Sequence, residues 1–197
     1  MSLFEQILAA FGSKQGNVND LPADDPTAKI GKTCEALFTG GVDTLRSIIP
    51  SDRIQSLGRV VWDLVGHKQV LVALGPEVPS LTFTVMGYKG HQQGVVLVPK
   101  DWPTKVEDDP FLQLGAIVFV GAQIVDFYND RLVGDPTSRV RSYAYEAELL
   151  HALAGILASW SPNEYQRELM KKYPSGLDSS GVELYPFKAF VPTEESA

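Results

Sequence analysis

Two of the three histidines in this chain of 197 residues stand in near-copies of one phrase. Gly66-His67-Lys68-Gln69 and Gly90-His91-Gln92-Gln93 are each followed by an apolar run. Paired imidazoles can share a metal or divide acid and base work, since a neutral ring offers one donor and one lone pair. A zinc site needs three or four ligands in a closed set. No cysteine cluster or spaced carboxylate accompanies His67 and His91. The phrases therefore read as two exposed turns at one end of a sheet, with an enzyme or metal site there as the alternative.

The third histidine makes a sharper pattern. Glu148-x-x-His151 is the i, i+3 pair with which di-iron helix bundles hold metal, but those proteins use it twice and add two further carboxylates. Here it occurs once, and the preceding helical stretch offers Asp126 and Asn129 instead. With Glu146, Leu149, Leu150 and Leu153 around it, His151 reads as a partnered histidine at the edge of an apolar face. Metal held by Glu148 and His151 is kept as the alternative.

Other signatures stop short. Gly31-Lys32-Thr33 lacks the glycine that a phosphate loop requires five residues before Gly31, where Pro26 stands. The single cysteine, Cys34, falls on the apolar face of its helix with no histidine near it in sequence, as a structural thiol does. No Gly-x-Ser-x-Gly elbow occurs. The acidic clusters before Pro26 and Pro110 suit helix caps.

The feature of most weight is the N-terminus. Leu3, Phe4, Ile7, Leu8 and Phe11 share one face of an amphipathic helix over residues 1–12. Burying each fully is worth about 1.5–3 kcal/mol. Residues 13–26 read as a flexible linker able to span well over ~20 Å. The arm is thus expected either to fold back on its own domain or to dock on a partner or a second copy of the chain. Phe4, Ile7, Leu8 and Phe11 are the partner-binding residues of that reading.

Residues 27–174 supply the elements of a single α+β domain. A helix is expected over Thr27–Phe38, ended by Gly40-Gly41, then a helical stretch over Asp43–Val65 broken at Pro50 and recapped by Ser51. Strands follow at Gln69–Leu74, Leu81–Tyr88 and Gly94–Val98, with short connections that favour an antiparallel meander. Asp109-Pro110 reads as a helix start and Asp135-Pro136 as a turn leading into one. Two long apolar helices, Pro110–Asn129 and Arg139–Trp160, would cover the sheet. A further helix is expected from a Ser161 cap, with Glu164 reaching back. Residues 175–197 form an extension with an edge strand, since Pro186 lies in its apolar run.

Composition bounds the function. The net charge of -7 repels phosphate backbones, and the basic residues form no patch, which argues against nucleic acid. The apolar run Phe111–Tyr128 approaches the ~20 residues of a membrane span, but Gln113, Gln123 and Asp126 interrupt it, as in a buried core helix. A lone cysteine suits a reducing compartment, and the N-terminus lacks the basic start of a secretory signal. The expectation is a cytoplasmic, non-catalytic protein-binding module or homo-oligomer without a cofactor.

Overall fold

The computed structural model describes residues 26–182 apart from 76, 89, 130–132 and 134. Among them are six α-helices, one three-stranded sheet and a short 3₁₀ turn. The first helix, α1 (Pro26–Ser47), is followed across the Pro50 corner by α2 (Asp52–Gly66). Ser51 caps α2, its hydroxyl accepting from the Ile54 N–H at 3.4 Å. The two helices pack closely because Gly58 has no side chain: a Cβ there would lie 2.7 Å from the backbone nitrogen of Arg46.

The strands are β1 (Val70–Leu74), β2 (Thr82–Tyr88) and β3 (His91–Val98). They are arranged β1-β3-β2, with β3 antiparallel to β2 and parallel to β1. This mixed sheet replaces the expected meander. Gly90, at φ +81, permits the tight turn that pairs β2 with β3. The seven residues between β1 and β2 carry Gly75, Pro76 and Pro79 and form no hairpin. β3 takes the central position, where its neighbours on both sides satisfy its backbone and Val96 and Val98 are fully buried. β3 also begins at His91, three residues before the expected start at Gly94.

Beyond the sheet come α3 (Trp102–Asp108), α4 (Pro110–Tyr128), α5 (Pro136–Ile156) and α6 (Glu164–Lys172), then the 3₁₀ turn Gly176–Ser179. Asp109 and Asp135 cap α4 and α5 through the N–H groups of Leu112 at 3.0 Å and Ser138 at 2.6 Å. α4, apolar all round, fills the centre between α2, α5 and the sheet. It is the one described helix long and apolar enough to cross a membrane. Here its Asp126 is fully buried and paired at 2.6 Å with Arg141 of α5. The core runs through Phe38, Leu45, Ile54, Leu57, Val96, Trp102, Ile117 and Leu149.

Several boundaries differ from the sequence expectation. α1 continues through Gly40 and Gly41, both buried, rather than stopping there. α3 occupies a stretch read as loop, with Pro103 tolerated in its first turn. Asn163, not Ser161, caps α6, in a reciprocal box with Gln166. The inner face of the sheet is covered by α4 together with α1 and α2, whereas α5 packs on α4 and the 3₁₀ turn. α5 is also not apolar all round: Arg139, Arg141, Glu146, Glu148 and His151 lie along it, with Arg139 exposed.

Candidate functional site

The two glycine-histidine phrases meet, but through their glutamines. β1 and β3 start side by side, with Val70 opposite Gly94, so His67 and His91 each stand three residues before that pair. The Gln93 side chain donates to the Gln69 carbonyl at 2.5 Å, and Tyr128 donates its hydroxyl to the same oxygen. His67 is the exposed C-cap of α2, its Nδ1 2.8 Å from the Asp63 carbonyl, which accepts only, so Nδ1 carries the proton. His91 opens β3. The repeated phrase is the start of two parallel neighbours, tied by glutamine.

Glu148 and His151 line a cleft of about 520 Å³ between the Pro50 corner, α5 and the 3₁₀ turn. Glu148 accepts from the Ser51 hydroxyl at 3.3 Å and the Leu177 N–H at 3.2 Å, with Arg53 3.9 Å away. Arg53 in turn holds Asp178 at 2.7 Å, and that hydrogen bond raises the guanidinium's already high pKa. His151 donates from Nε2 to the Tyr173 carbonyl at 2.9 Å. Gly176, at φ +55, lets the turn pass against Glu148. Each polar group here ties one element to another: the α2 cap, the end of α6 and the C-terminal turn. Among the described residues no group of three His, Cys, Asp or Glu could hold a metal ion.

A second cavity, of about 440 Å³, opens between α3, α4, α5 and α6. Glu146 of α5 forms its inner wall at 3% exposure. The side chain fits against α4 because residue 115 is glycine: a Cβ there would lie 2.9 Å from its Oε1. Tyr165, half exposed at the rim, donates its hydroxyl to Glu146 Oε2 at 2.8 Å. Burial pushes the Glu146 carboxyl up to about 7, against the smaller downward pull of the Tyr165 hydrogen bond. Burial, with the Glu146 charge beside it, raises the Tyr165 phenol as well. Sequence reading passed over Glu146, although an acid three residues before Leu149 and four before Leu150 stands on an apolar helix face.

Cys34 is buried on α1, 3.7 Å from the Pro99 carbonyl, and burial followed by the charge of Asp101 pushes its thiol up to about 11. Such a thiol is protonated at neutral pH and a poor nucleophile.

The sheet has two unlike faces. Val70, Phe83, Val96 and Val98 point into the core. The register places Leu71, Val95 and Thr84 in one row of the opposite face, Ala73, Leu97 and Thr82 in the next, and Met86 beside Gln93. Leu71 is 42% exposed and Met86 54%, on the two outer strands. Among the described residues no strand pairs with the outer edge of β1 or of β2. The arm residues Phe4, Ile7, Leu8 and Phe11, and the expected tail strand, lie outside the described residues. No family model, curated protein or solved structure matches this chain.

Proposed function

We propose that this protein is a non-catalytic docking module that engages a protein partner through the outer face and free edges of its sheet. The observation that carries the reading is that Leu71 and Met86 are exposed on the same face of a sheet whose two outer edges have no paired strand among the described residues. An open edge offers backbone donors and acceptors to an incoming strand, and alternate side chains beside it supply selectivity. The amphipathic pattern of Phe4, Ile7, Leu8 and Phe11 supports a second apolar element in the same docking. The Glu148–His151 site supports this reading over an enzyme, because both side chains are engaged in joining elements.

Native mass spectrometry of the full chain and of a Leu71→Ser/Met86→Ser variant tests the proposal. The wild type is expected to retain a partner of defined mass, and the variant to lose it while keeping its circular dichroism spectrum. Equal retention by both, or a bare monomer in both, would count against a docking surface on this face.

A further inference from the structure

We propose that the cavity beside Glu146 binds a small organic ammonium ion carrying an aromatic or branched apolar body. The argument starts from charge. Two ionic side chains line the cavity, Lys105 of α3 and Glu146 of α5. Lys105 is already matched, with Asp101 at 3.1 Å and the Pro79 carbonyl at 2.6 Å. Glu146 is not: among the described residues its one polar partner is the neutral Tyr165 hydroxyl. A carboxyl removed from water without a cation is costly, and a cationic ligand placed against it supplies the missing charge.

The remaining wall selects the body of the ligand. Leu81, Leu112, Ala116 and Phe119 are apolar, and the Tyr143 ring meets Phe119 edge-on at 5.0 Å. Aromatic faces add attraction for an ammonium group, by about 0.5–2 kcal/mol. A volume of about 440 Å³ falls within the range of small-molecule sites. An anion would face the Glu146 charge, and a neutral hydrocarbon would leave that carboxyl without a counter-ion. The other titratable groups lining the cavity are Tyr165, Tyr143 and Lys105, the last held by Asp101 and the Pro79 carbonyl, beside the Gln113 amide from α4. None of these supplies the cation.

The test uses the full chain at pH 7 with phenethylamine, its neutral analogue 2-phenylethanol and the acid 3-phenylpropanoate, followed by calorimetry and nitrogen-15 correlation spectra. The amine is expected to bind at least ten-fold more tightly than either analogue, with shifts at Ala116, Phe119 and Tyr143. Because the buried carboxyl is held up to about 7, amine binding should release about half a proton, read from the buffer dependence of the heat. In Glu146→Gln, affinity for the amine should fall at least ten-fold and the proton release should vanish. Absence of amine binding at millimolar concentration, equal binding of the alcohol, or shifts elsewhere would overturn the proposal on wild-type protein alone, whether or not the variant folds. An unchanged affinity in a folded Glu146→Gln variant would overturn it too.

Discussion

Glu146 sets a pH dependence that can be worked out from its surroundings. Its carboxyl titrates near 4.5 in the unfolded chain and about 7 in the fold, because burial disfavours the charge. Between those values the folded protein binds more protons than the unfolded chain, so stability falls as pH rises through the window. The full penalty, on the order of 3 kcal/mol, is present above pH 7 and absent below 4.5. Glu146→Gln removes the titration and keeps an oxygen for the Tyr165 hydroxyl. Urea unfolding of the two proteins from pH 5 to 8 should therefore show the wild type losing stability relative to the variant. Parallel curves would contradict the assignment. Single residues were unevenly legible in the sequence. Ser51 and Asp109 are caps that act within three residues of themselves, so local pattern finds them. Glu146 owes its character to Gly115 on another helix, and no local pattern carries that information.

At the scale of elements, close crossings decide the architecture. α1 and α2 meet at Gly58, where a methyl would press on the unyielding backbone of Arg46. Gly58→Ala should cost about 1–3 kcal/mol in forced separation, more than the ~1 kcal/mol that alanine gains in helix propensity. Gly31→Ala on α1, with nothing within 4 Å of the added carbon, should be neutral or mildly stabilising. Thermal unfolding separates the two: the midpoint falls in the first variant and holds or rises in the second, and the reverse order would refute the close crossing. Helix existence was legible where apolar spacing persisted, as in α2, or where an apolar run was too long for a strand, as in α4. Gly40-Gly41 misled because glycine at a helix end and glycine at a buried face look alike in sequence; here both are buried inside α1. Pro103 concealed α3 in the same way, since proline suits both a loop and a first turn. Ser161 was expected to cap α6 with Glu164 reaching back, but the reciprocal bonds between Asn163 and Gln166 make Asn163 the cap, two residues further on.

On the scale of the whole molecule, the helices enclose one face of a small mixed sheet and leave the other carrying Leu71 and Met86. Strand order was the least legible property, because pairing β1 with β3 is a long-range choice that short connections do not dictate. The mixed order puts β2 rather than β3 at the edge opposite β1, and with it Met86, which the docking reading uses together with Leu71 of β1. The measurement that tests that reading most directly is amide hydrogen exchange on the full chain, free and in complex with the partner retained by native isolation. Protection gained across β1 and β2, at residues 71–74 and 82–88, is the predicted result. Protection confined to the Glu148 cleft or to the helices, with both outer strands exchanging as in the free protein, would contradict a docking surface on this sheet.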